Sequence, residues 1–145
     1  MKLFQILKEV LQPSQDYHDL VEKIKQQGGK FLGSGDYGAA FLVGDKVLKV
    51  TTDSEELADA HKLVGLDTKY FAHIYDVELA NDSLGVITME NLQPYTADPD
   101  EVPIGDIYDE ADELGISPDL EGPGGSIRID NVMQDAQGNI KIIDV

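Results

Sequence analysis

Apolar residues recur at two different spacings along this chain, and the change of spacing divides it. Between Lys2 and Leu11, the residues Leu3, Phe4, Ile6, Leu7, Val10 and Leu11 fall at helical spacing, and Gln12-Pro13-Ser14 interrupts the pattern. Ser14 can cap a second helix carrying Tyr17, Leu20, Val21 and Ile24, ended by Gln26-Gln27-Gly28-Gly29. From Lys30 to Thr51 the character is β. Ala39 to Val43 reads as a strand, Gly44-Asp45 as a tight turn and Lys46 to Val50 as the returning strand. Thr52-Asp53-Ser54 starts a helix over Glu55 to Val64, apolar at Leu57, Ala60, Leu63 and Val64 and closed by Gly65. Two further strands, Phe71 to Leu79 and Leu84 to Met89, meet around Asn81-Asp82.

The rest of the chain is more polar. Most of the excess acid lies between Asp98 and Asp112, yet Ile104, Ile107, Tyr108, Ala111 and Leu114 keep helical spacing, which predicts an acidic helix. Pro118 to Gly125 reads as loop. Asn131-Val132-Met133, a turn from Asp135 through Gly138 to Asn139, and Ile140 to Val145 predict a last hairpin. Strands followed by helix and hairpin give the α+β class.

Composition narrows the functional classes. The 145 residues suit one domain with a hydrophobic core, and 41% hydrophobic residues exclude a disordered polyanion. No apolar run is long enough to span a bilayer, and the charged residues soon after Met1 do not read as a signal peptide. The absence of cysteine excludes disulfides and thiolate metal sites. A soluble cytoplasmic protein is expected. The net charge of −17 argues against binding nucleic-acid phosphates or an anionic membrane surface. It also means that an anionic nucleotide needs a local lysine and a divalent cation. His18, His61 and His73 show neither metal-ligand nor triad spacing.

Three features carry candidate chemistry. Gly33-x-Gly35-x-x-Gly38 lets backbone approach phosphate oxygens and donate N–H bonds to them. It runs into a predicted hairpin, whereas a dinucleotide-binding loop would run from strand into helix. Lys49 places one cation in the apolar strand Val47-Leu48-Lys49-Val50, where an unpaired ammonium is costly; its alternative is an edge strand with the head in water. Asn131 and Asp144 stand thirteen residues apart at the two ends of the last hairpin.

At this hairpin the sequence resembles the protein-kinase-like superfamily, and the resemblance covers Lys30 to Val145. It implies a five-stranded kinase-type N-lobe of antiparallel sheet plus helix, with a vestigial C-lobe. Residues 1–29 would be a helical extension, 30–93 the N-lobe and 94–145 the reduced C-lobe of a single domain. It implies ATP under the loop of Gly33, Gly35 and Gly38, with Lys49 on its phosphates. A helix acid would hold Lys49; Glu55, Glu56 and Asp59 are available, and Glu56 is preferred. Asn131 and Asp144 would bring an amide oxygen and a carboxylate to Mg²⁺, a hard cation that prefers oxygen. Gly85 to Leu92 resembles the strand whose backbone binds adenine, here near Glu90 and Leu92.

The family pattern also breaks. The position five residues before Asn131, where the catalytic base is expected, is Ser126, and no His-Arg-Asp is present. Leu114 to Leu120 resembles the approach to that base, with Asp119 in its place, which requires a longer insert around Gly122-Pro123-Gly124-Gly125. Asp130 is a second nearby carboxylate. Val145 follows Asp144 where the family continues Phe-Gly, and a chain without the usual helical lobe is expected. The resemblance thus implies a minimal ATP- and Mg²⁺-dependent phosphotransferase, compact as viral or bacterial members are, with a protein hydroxyl as acceptor. Catalysis would rest on Asp119, Lys49 and Asn131. The alternatives are a pseudokinase-type regulatory module with a protein partner, and an acidic decoy for a nucleic-acid-handling protein.

Overall fold

The computed structural model describes residues 16–35 and 37–143. The helix expected over Lys2 to Leu11 and the Ser14 cap lie outside them, as do Asp36, Asp144 and Val145. The first described element is helix α1 (Tyr17–Gln26), capped by Asp16, whose carboxylate accepts the Asp19 N–H at 2.9 Å. Strands β1 (Lys30–Ser34), β2 (Gly38–Val43) and β3 (Lys46–Thr51) follow as two hairpin steps. Helix α2 (Ser54–Leu63) then leads to β4 (Ile74–Asn81) and β5 (Leu84–Glu90). The five strands form one antiparallel sheet in the order β1-β2-β3-β5-β4. This is the antiparallel sheet with helix that the sequence predicts, in an α+β fold.

Alternation along the strands sends side chains to two separate cores. Leu48, Val50, Phe41, Leu84 and Val86 face α1 and pack on Leu20 and Ile24. Val47, Ile87 and Met89 face the other way, toward Leu57, Ala60 and Leu63 of α2. Gly85 permits this second contact, because a Cβ there would meet the Glu78 carbonyl and the Leu57 side chain, each at 2.8 Å. Helix α2 starts one residue earlier than its apolar pattern indicates. Asp53 caps it by accepting the N–H groups of Glu55 and Glu56 at 3.0 and 3.3 Å.

The second core continues into the chain after the sheet. A two-residue strand β6 (Gln93–Pro94) pairs with β7 (Val132–Gln134), and β7 pairs with β8 (Ile140–Ile142). Between them runs α3 (Ile104–Leu114), the acidic helix, which buries Ile107 and Ala111 while Asp106, Asp109, Asp112 and Glu113 remain exposed. Gly115 ends it in the left-handed conformation, at φ 72°.

The expected strand from Phe71 begins only at Ile74. Residues 70–72 instead flank β8: Ile142 donates to the Tyr70 carbonyl at 2.7 Å, and Ala72 donates to the Ile142 carbonyl at 2.9 Å. Glu110 of α3 holds the same segment, accepting the N–H groups of Lys69 and Tyr70 at 3.0 and 2.9 Å. The alternation of Phe71 is real, but it serves a different partner strand.

Candidate functional site

The face of the sheet that carries Val47 and Met89 borders a cleft of about 1120 Å³. Gly33, Gly35 and Gly38 line one side, Lys49 and Glu56 lie at its base, and Glu90 and Leu92 line it beyond β5. Asp119, Asp130, Asn131 and Ile143 line the opposite side. Asp144 follows Ile143 directly and lies outside the described residues.

Lys49 sits on β3, between Ala40 of β2 and Ile87 of β5, so the edge-strand alternative does not hold. Its ammonium forms an ion pair with Glu56, whose side chain is only 5% exposed. The pair explains how both charges tolerate this position, since either alone would lack compensation in the core. Of the three acids at the start of α2, only Glu56 is buried, on the same face as Leu57 and Ala60. Glu55 is exposed, and Asp59 turns to another partner, the backbone N–H of Ser117 at 3.0 Å. Lys46 lies over the Tyr75 ring, 4.4 Å from its centre.

The three loop glycines are there for different reasons. A Cβ on Gly38 would run into the Val50 carbonyl oxygen, so this glycine is required by the β2–β3 contact. Gly33 and Gly35 have open space where a side chain would be. Neither has a positive φ, so turn conformation does not require glycine at these two positions. The Gly35 N–H donates to the Gly38 carbonyl at 2.9 Å, and the Thr52 N–H to the Tyr37 carbonyl at 2.8 Å. The loop is therefore tied to its own base and to the start of α2.

The opposite side is built on loops. The Asn131 side-chain N–H donates to the Asp119 carbonyl at 2.6 Å, joining two residues twelve positions apart. The nitrogen of this amide is thus engaged with Asp119, and its oxygen is by nature an acceptor. The Ile143 N–H donates to the Asn131 carbonyl at 3.2 Å, which brings the end of β8 to the same place. The Asp119 carboxylate lies 3.2 Å from Nε of Arg128, which also donates to the Glu121 carbonyl at 3.2 Å. Nearby, Tyr108 is raised above its ordinary pKa, first by burial and then by the negative charges of Glu121 and Asp119.

Glu90 and Leu92 divide differently. The Glu90 N–H donates to the His73 carbonyl at 3.0 Å, and the Glu90 carboxylate accepts the His73 N–H at 2.9 Å. Leu92 is buried at the cleft edge. Ser126 is exposed, and Asp119 rather than Ser126 lies against Asn131. Arg128 was not singled out from sequence. Its signal was present: it is the one arginine of the chain, set in an acidic loop three residues before Asn131.

Among the described residues no three acid or histidine side chains converge as a preformed cation cage. Mg²⁺ does not need one, since it keeps several waters and takes one or two protein oxygens together with phosphates. The Asn131 amide oxygen at the cleft wall fits that requirement. Among the described residues, no helix is long and apolar enough to cross a membrane.

The fold is of the protein-kinase-like type. The chain is similar in structure to the Cydia pomonella granulovirus kinase PK-1, with a TM-score of 0.50 and 13% identity over 86% of this chain and 56% of that one. Aminoglycoside phosphotransferase APH(4)-Ia gives a TM-score of 0.39 and 20% identity over 74% of this chain and 45% of that one. A thermostable mutant of that enzyme, in ternary complex with ADP and hygromycin B, gives 0.36 and 17% over 59% and 32%. The chain thus spans about half the length, or less, of the solved structures it resembles. No family model matches the sequence, and no curated protein matches it.

Proposed function

We propose that this chain is an ATP- and Mg²⁺-dependent phosphotransferase with a protein hydroxyl as acceptor. The observation that carries the reading is the Lys49–Glu56 pair at the base of a cleft whose two sides are the glycine loop and the Asp119–Asn131 contact. The buried Glu56 carboxylate holds the Lys49 ammonium at the cleft, and its positive charge there would attract anionic oxygens. Gly33 and Gly35 leave the backbone bare on the same side, where a phosphate chain can approach. Leu92 and the backbone from Glu90 onward would border the adenine.

Asn131 and Asp144 would hold the cation, which when bound neutralises phosphate charge and orients the terminal phosphoryl group. Asp119 would accept the proton of the attacking hydroxyl. The acceptor oxygen then bonds to the γ-phosphorus, the bond from that phosphorus to the bridging oxygen breaks, and ADP leaves with the electron pair. The residues contribute by positioning and charge stabilisation.

A second reading, a nucleotide-binding regulatory module, has one observation in its favour. Arg128 pairs with Asp119, so that carboxylate is engaged by a guanidinium where a base would have to face the acceptor hydroxyl. Transfer of labelled γ-phosphate separates the two. The enzyme reading expects labelling that falls strongly in Asp119→Asn and Lys49→Ala. The regulatory reading expects nucleotide binding without labelling. Labelling unchanged by both substitutions overturns the site assignment.

A further inference from the structure

We propose that Asp59 is a positioning residue: with Lys62 it latches the helix that carries Glu56 to the segment that carries Asp119. The two sides of the cleft would then shift together. Asp59 lies one helical turn after Glu56 on α2, close to the same face. One carboxylate oxygen accepts the Ser117 N–H at 3.0 Å, and the other lies 3.5 Å from the Lys62 ammonium. Lys62 in turn donates to the Gly115 carbonyl at 2.6 Å. That carbonyl belongs to the C-terminal cap of α3, where the helix dipole favours a cation and the last turn of α3 supplies none. The Asp59 side chain is 15% exposed, and it reaches out to the exposed Ser117.

The tether from Ser117 to Asp119 has little slack. Pro118 fixes its own φ and confines Ser117 to extended conformations, so movement of the Ser117 backbone is passed on. Asp119 then meets Asn131 through its carbonyl, which extends the linkage to the proposed cation ligand. The path from Lys49 runs through Glu56, α2, Asp59, Ser117 and Asp119 to Asn131, and each step is a hydrogen bond, a rigid helix or a short constrained stretch of chain. No other acid of α2 is placed to do this, since Glu55 is exposed and Glu56 is committed to Lys49.

The catalytic consequence rests on the phosphotransferase reading, but the latch can be tested without it. Backbone amide spectra of the full chain would be recorded for Lys49→Met, Asp59→Ala and the double variant. Breaking the Lys49–Glu56 pair is expected to move the Ser117 and Asp119 amide resonances when Asp59 is intact and to leave them in place when Asp59 is alanine. Shifts of equal size in both backgrounds, or none in either, overturn the latch. In phosphoryl transfer, Asp59→Ala is expected to lower kcat about tenfold at unchanged nucleotide KM, as misplaced groups do. Asp59→Asn, which keeps an acceptor for Ser117, should recover most of that loss. Equal changes in kcat and KM, or full activity in Asp59→Ala, would overturn the positioning role. A native chain that transfers no phosphate refutes the phosphotransferase reading alone, and the amide shifts then decide the latch.

Discussion

The sheet side of the cleft and the loop side hold their charged groups by different means. Lys49 stands on a central strand, 23% exposed, against a Glu56 that is 5% exposed. Asp119 and Arg128, the matching opposite charges across the cleft, are 51% and 50% exposed and belong to loops. The first pair is fixed by the same packing that makes the core, so it is rigid and its loss is felt by the fold. The second is fixed by hydrogen bonds from the Asn131 side chain to the Asp119 carbonyl and from the Arg128 N–H to the Leu120 carbonyl, so it can be retuned at little cost in stability. Under the proposed function, this division would let one side grip a charged ligand while the other adapts to an acceptor.

The difference can be broken first at the pairs themselves. Lys49→Ala leaves Glu56 buried without its cation and should cost about 3 kcal/mol, in the range for breaking a buried pair. Asp119→Asn should cost less than about 1 kcal/mol, as an exposed pair does. Urea unfolding of both variants measures the contrast, and equal losses would erase it.

The glycines sharpen the same point. Gly38→Ala forces a Cβ into the Val50 carbonyl and should destabilise by about 2 kcal/mol, the range for overpacking. Gly33→Ala enters open space and should change stability by less than about 0.5 kcal/mol. In calorimetric titrations the Gly33 variant should nevertheless weaken nucleotide binding, because the added methyl would stand where the proposed function puts the phosphate chain.

On the loop side, Glu110→Ala removes two acceptor contacts to Lys69 and Tyr70. A cost of about 1.5 kcal/mol is expected from leaving those N–H groups to water. Because residues 70–72 flank β8, amide exchange should rise at Ile142 before it rises in the large sheet.

The smallest effect lies at the β7–β8 turn. Bonds from the Asn139 backbone, and further ones from its side chain and the Gln137 N–H, hold the Asp135 carboxyl below its usual pKa. A depressed folded-state pKa stabilises above the unfolded value and is lost as pH falls through the folded one. Asp135→Ala should therefore lower Tm slightly at neutral pH and lose that effect in acid below the carboxylate range. A difference that persists in acid would assign the effect to something other than charge.

Much of the fold was legible because its signals are local. Alternation at Ala39 to Val50, the Asp53 cap and the glycine after α2 each act within a few residues, and they fixed the sheet and helix closely. Phe71 shows where locality ends: its apolar character was visible, but its partner Ile142 is seventy-one residues away. The site divides in the same way. The family resemblance points to Lys49 and to three acids on α2, with Glu56 preferred, and the helix register shows Glu56 to be the buried one. The sequence offers Asp59 only as a partner for Lys49 and gives Arg128 no role, because their actual partners, Ser117 and Asp119, are reached through tertiary contacts. The Glu90 N–H engagement with His73 was hidden for the same reason.

Calorimetric titration of the full chain with ATP, with and without Mg²⁺, tests most directly whether lysine and cation ligands serve one cleft. The account predicts binding that strengthens with Mg²⁺, falls at least about tenfold in Lys49→Met as a lost charge-assisted contact would, and loses its Mg²⁺ dependence in Asn131→Ala. Binding of equal strength in all three proteins, or no binding to the native chain, would contradict it.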